Sequence, residues 1–140
     1  MSSEHIFIDH TADIAFDVAA DSIEELFLES ARAWRISIVG DISGKALSNR
    51  LIKLSGNSLE ELLVNFLNEI NYLLTLHKWL AIIFNNIEID KNTISLRANV
   101  SGFQIDNSIE MKAEIKSATY HQMDIKYADD RYLTRVVFDI

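Results

Sequence analysis

Beyond His77 the chain offers no helical pattern. Residues 81–89, 93–100, 115–125 and 133–139 all favour β-branched and aromatic side chains, and they follow one another with no helix between them. Parallel neighbours need a long crossover, usually a helix. These segments must therefore pair mainly antiparallel, which argues against a doubly wound fold.

Both predicted helices lie earlier. Asp21 or Ser22 can cap the first, Glu24 and Glu25 suit its positive end, and Gly40 is a stop signal. Leu26, Ala33 and Trp34 recur at helical spacing, widened by Phe27 and Ala31. The second helix opens with a capping box, Ser58 with Glu61 three residues on. Its apolar stripe runs through Leu59, Leu62, Leu63, Phe66, Leu67, Ile70, Leu73 and Leu74, about five turns at 3.6 residues per turn. Residues 12–19 alternate with Ile14, Phe16 and Val18 on one side, and residues 45–54 read as another strand. The expected architecture is α+β: a mixed or mainly antiparallel sheet with two helices packed on it, as one domain over residues 1–140.

Composition narrows function. The sequence has no cysteine, which removes disulfides and thiolate sites and suits a reducing cytoplasm. It has no proline, so turns fall to clusters such as Asp90-Lys91-Asn92 and Ala128-Asp129-Asp130. The net charge of −8 lacks the basic footprint of a nucleic-acid binder, so contact with RNA is expected through a partner protein. The start shows no basic segment followed by an apolar run, and residues 79–84 are too short to span a bilayer. Neither a signal peptide nor membrane association is expected.

Two places carry candidate chemistry. Asp9-His10-Thr11-Ala12-Asp13 interrupts the apolar entry into a strand with carboxylates that suit a hard cation. Asp9 and Thr11 could equally satisfy turn backbone groups, with His10 hydrogen-bonded and half buried. Val136-Val137-Phe138-Asp139-Ile140 sets Asp139 beside a terminal carboxylate, a repulsion that a bound cation would relieve, as would plain solvation. In residues 114–121, Lys116, Ala118 and Tyr120 alternate with Ser117, Thr119 and His121, which reads best as an edge strand guarded by Lys. His77 and Trp79 are expected to close the core, and His5 to be exposed.

Taken together these segments resemble the archease family. His10-Thr11-Ala12-Asp13-Ile14 is similar to its signature, and Glu24-Glu25-Leu26-Phe27 to its first helix. Ser58-Leu59-Glu60-Glu61-Leu62-Leu63 with Asn68-Glu69-Ile70 resembles its second helix. Residues 114–121 resemble a later strand, and residues 136–140 its ending. Two departures stand out: Ser117 replaces a usual Ala, and residues 101–112 lack the family's Gly- and His-bearing approach to that strand.

The resemblance implies a single α+β domain that is not itself an enzyme. It implies an accessory protein that promotes guanylylation and multiple turnover of the RNA ligase joining 3′-phosphate to 5′-hydroxyl ends in tRNA splicing or RNA repair. Its partner would be that RNA ligase protein. The alternative is a chaperone or modulator of a tRNA methyltransferase. The resemblance also implies a divalent ion, Ca²⁺ with Mg²⁺ or Mn²⁺ as alternatives, held by Asp13, Asp139 and Ile140. His10 and Lys116 are carried over as candidate partner contacts or supports of that site.

Overall fold

The computed structural model describes residues 2–9, 13–40, 48–120 and 123–140, and of Ile8 and Asp9 the backbone alone. The element order is β1 (Ser3–Asp9), β2 (Asp13–Ala20), α1 (Ile23–Val39), β3 (Ser48–Ser55), α2 (Leu59–His77), β4 (Trp79–Asp90), β5 (Ser95–Gln104), β6 (Ser117–Thr119), β7 (Lys126–Ala128) and β8 (Arg131–Asp139). Every described pairing is antiparallel, as expected. The α+β class holds, and the strands divide into two sheets. One has the order β1-β2-β8-β6, with β7 also on β8; the other is β3-β5-β4.

Both helices start where the sequence puts them. The Ser22 hydroxyl accepts the Glu25 N–H at 3.1 Å, and the Ser58 hydroxyl accepts the Glu61 N–H at 3.0 Å. Gly40 ends α1 at φ 71°, a conformation that favours glycine. Helix α1 packs on β1, β2 and β8 of one sheet and on β4 of the other. Sandwiched in this way it is buried on more than one side, and Glu29 and Ser30 go under with Leu26, Phe27 and Trp34. Helix α2 packs on β3, β4 and β6. One contiguous core, including Phe16, Trp34, Phe66, Leu67, Trp79 and Phe138, joins both helices to both sheets.

Two asparagines on the buried side of α2 tie the sheets' contents together. Asn71 accepts the buried Trp34 indole N–H at 2.9 Å and donates to the Ile115 carbonyl at 2.9 Å. Asn68 accepts the Ala118 N–H at 2.7 Å and donates to its carbonyl at 3.3 Å, so its amide serves β6 as one more rung of ladder.

Three local expectations change. Among the described residues the predicted strand over 115–125 is found only as β6; Thr119 pairs with Val137 and Lys126 already with Leu133, which leaves only Thr134–Val136 of β8 between the two pairings. Lys116 therefore precedes the strand and is exposed, while Ala118 is buried. His77 lies outside the core with its ring against Tyr72, since α2 ends at Lys78 (φ 55°) and turns only Trp79 inward. His5 is half-buried, not exposed, with Nδ1 against the Glu29 carboxylate and its ring edge on Phe16.

The turns follow their residues. Asp129 and Asp130 both have positive φ, 53° and 61°, the geometry of a tight hairpin turn between β7 and β8. Asp90 accepts the N–H groups of Asn92 and Thr93 and closes the β4–β5 hairpin. Gly102 is required by close approach, because a Cβ there would stand 2.0 Å from the Leu80 carbonyl oxygen at the irregular part of β4. Among the described residues no helix is long and apolar enough to cross a membrane.

A candidate metal corner on the larger sheet

The first and last strands named by the sequence are neighbours. Strand β2 lies against β8 over its whole length, and Asp13 stands directly opposite Asp139. The alternation of the ladder sharpens this. The Asp21 N–H donates to the Ser2 carbonyl at 3.2 Å, continuing the β1–β2 register by one step. Asp21, Ala19, Asp17, Ala15 and Asp13 thus direct their backbone groups toward β1. Against β8 they occupy the pairs without hydrogen bonds, where opposed Cα atoms are only about 4.5 Å apart and side chains come closest. The Asp139 carbonyl points the other way and accepts the Lys116 N–H at 2.8 Å.

Four residues along the same face, Asp17 opposes Arg135. There the guanidinium donates to both carboxylate oxygens, Nε to Oδ1 at 2.7 Å and NH2 to Oδ2 at 3.0 Å. Arg135 holds the Asp17 carboxyl below its ordinary pKa by these hydrogen bonds first; desolvation opposes the shift and the Arg135 charge reinforces it. Asp13 and Asp139 have no such partner: among the described residues no ion pair includes either. Like charges directly opposite in a ladder destabilise it.

Asp13 is half-buried, and Asp139 and Ile140 are exposed. Ser117 also stands opposite Asp139, on its other side. The ends of β2, β8 and β6 therefore meet at one corner, with exposed Lys116 bonded to it through its backbone. His10 lies outside the described residues, as do Thr11 and Ala12 of the same turn. No group of three or more acidic or histidine side chains that could hold a metal occurs among the described residues. Two carboxylates do meet, and their hard oxygen donors match the preference of Ca²⁺ or Mg²⁺. That donor chemistry fits the implied ion, with further oxygens to come from backbone, water or neighbouring residues.

A cleft of about 560 Å³ is elsewhere. It lies between the C-terminal ends of α1 and α2 and residues 105–115, and Lys78, Lys112 and Glu114 line it; neither Asp13 nor Asp139 does. Sequence reasoning did not single out Asn68 as the support of this corner. The available signal was an amide set beside the apolar stripe of α2.

The fold and the corner define a small α+β protein whose second and last strands bring two acidic side chains together. Comparison with known proteins gives the same order of elements a family. The Archease protein family matches residues 5–140. The archease of Pyrococcus abyssi is 35% identical over 138 residues, covering 94% of this chain and 95% of that protein. The archease of Methanosarcina barkeri is 32% identical over 140 residues, covering 98% and 96%. The chain belongs to the archease family. Among solved structures, protein 1598 of Methanobacterium thermoautotrophicum superposes with a TM-score of 0.82 at 24% identity, covering 97% of this chain and 98% of that one. An archease of Thermotoga maritima, described as a possible chaperone, gives 0.66 at 23% identity, covering 95% and 94%. These two likenesses bear on the fold.

Proposed function

We propose that this chain is a cytoplasmic accessory protein, not itself an enzyme, that activates the RNA ligase joining 3′-phosphate to 5′-hydroxyl ends. Family membership supports the class of protein. The observation that carries the reading is the Asp13–Asp139 pair, without an ion-pair partner among the described residues and set at the closest-approach position of β2 and β8. Asp13 and Asp139 would hold a divalent ion, Ca²⁺ by the archease pattern, and Ile140 would contribute its carboxylate or carbonyl. The ion would supply positive charge that lets two carboxylates share one corner. Asn68 and β6 fix the strand that carries Asp139, through the Lys116 N–H and the Ala118 amide. Lys116 and His10 are the side chains assigned to contact the ligase, which docks on this acidic corner and itself supplies the basic surface for RNA.

The test is ligase guanylylation with and without this protein, comparing wild type with Asp139→Ala. Stimulation that disappears in the variant supports both the partnership and the corner. Equal stimulation by the two keeps the partnership and removes the corner. If wild type fails to stimulate its cognate ligase, the chaperone or methyltransferase-modulator reading takes its place.

A further inference from the structure

The two sheets present four edges, and three of them are guarded. On the β8 side of the larger sheet, β6 and β7 form a broken edge of three residues each, flanked by Lys116 and carrying Lys126. In the smaller sheet β3 carries Arg50 and Lys53. Strand β4, at the opposite edge, shifts register twice, between Ala81 and Ile83 and again between Ile83 and Asn86. Lysines, short strands and bulges are the usual means of keeping an edge from pairing with another chain. Strand β1 has none of them. It is seven residues long, pairs with β2 without a register shift, and contains no Lys, Arg, Pro or Gly.

Two of its side chains are paired from within. Glu4 pairs with Arg131 at 3.2 Å, and His5 meets Glu29. Beside the exposed Glu4, two apolar side chains are outward among the described ones: Ile6 and Phe7, on opposite faces of the strand, are each 57% exposed. Among the described residues no strand pairs with its outer backbone either. Since the ladder to β2 uses the even residues of β1, the N–H and C=O groups of Ser3, His5, Phe7 and Asp9 point away from the sheet.

We propose that β1 is a self-association edge, and that two copies of this chain pair β1 to β1 antiparallel about a two-fold axis at Ile6. A two-fold contact must be self-complementary. Centring it on Ile6 engages the whole strand and brings the outward odd residues together: Ser3 with Asp9 of the second copy, and His5 with Phe7 of the second copy. Ile6 meets Ile6 of the second copy in a pair without hydrogen bonds, where side chains are closest. No two like charges fall opposite one another, and the exposed Ile6 and Phe7 are covered. The two larger sheets then form one continuous sheet. Each copy carries a net charge of −8, so added salt should strengthen the contact by screening. A basic partner on the same edge would respond in the opposite sense.

The full chain has no cysteine, which makes the test direct. Ile6→Cys is compared under mild oxidation with Leu51→Cys, a control on the β3 edge whose side chain is 52% exposed. Cross-linked dimer should form at least about tenfold faster in Ile6→Cys, because paired strands hold the two thiols at a high effective concentration. Sedimentation velocity on wild type should show a dimer fraction that rises with protein and with salt. Ile6→Lys should abolish that dimer while keeping the monomer's circular dichroism and melting transition, since the side chain is exposed in the monomer. Equal cross-linking of the two cysteine variants would overturn the proposal. So would a wild type that stays monomeric at all concentrations while the ligase protects the β1 amides from exchange, which would assign the edge to a partner strand.

Discussion

The ladder between β2 and β8 carries two facing pairs of charged side chains that differ in sign, one in its middle and one at its end. At the first, Asp17 faces Arg135, with two hydrogen bonds and opposite charges. At the other, Asp13 faces Asp139, with no ion pair to either among the described residues. Both pairs lie on one face of the sheet, both at positions without cross-strand backbone hydrogen bonds. Backbone geometry is therefore common to the two, and only side-chain charge distinguishes them. The middle pair closes on itself. The other has a charge deficit that a divalent ion or a cationic partner would fill.

The largest expected effect comes from making the open pair resemble the closed one. Asp13→Lys would place a cation opposite Asp139. Stimulation of ligase guanylylation should fall to the level without this protein, while the metal-free chain gains up to about 1 kcal/mol in urea unfolding as repulsion becomes attraction. A variant that still activates the ligase would remove the carboxylate pair from the function.

Next in size is the response to the ion. Calcium at a hundredfold excess over its dissociation constant should stabilise wild type by about 2.7 kcal/mol. Differential scanning fluorimetry would show this as a raised melting temperature, and Asp139→Asn should lose most of the rise. An unchanged rise in the variant would locate any ion elsewhere.

A smaller effect belongs to the closed pair. Arg135→Met should lower the melting temperature slightly, because the pair is partly exposed and such pairs contribute little. Its calcium response should match that of wild type. A lost response would mean that the Asp17–Arg135 pair positions the metal corner as well as bracing the ladder.

The smallest effect is in acid. Arg135 depresses the folded pKa of Asp17 below its unfolded value. The associated stability is then fully present above the unfolded value, near 3.8, and is lost as pH falls through the lower folded value. The gap in stability between wild type and Arg135→Met should therefore shrink below about pH 4. A gap that holds constant down to the acid transition would show that the two residues do not interact as drawn.

Much of this comparison could be read in advance. Asp13 and Asp139 were both singled out from local sequence, as carboxylates where an apolar strand would not place them. Asp17 and Arg135 were not singled out as a pair, because nothing in either segment alone indicates a partner more than a hundred residues away. The same limit explains the broken edge strand. Residues 115–125 carry strand-favouring side chains throughout, but the length of β8 available to them is a property of the register. His5 was misplaced for a related reason: its partner, Glu29, sits on α1 and is itself buried only because that helix lies between two sheets.

The sequence by itself determined both helices, most of the strands and the fold class; β1 and β7 were not read from it. Capping serines, the stripe of α2, the hairpin turns at Asp90 and Asp129, and the absence of any helix after His77 are local signals, set by backbone sterics and by periodicity over a few residues. Only the tertiary structure decided which strands are neighbours and in what register. It divided the strands into two sheets, set Asp139 opposite Asp13 and Arg135 opposite Asp17, and left β1 as the unguarded edge. The physical reason is that pairing between distant strands is chosen by the burial of a shared core, a collective quantity that no short stretch of the chain carries.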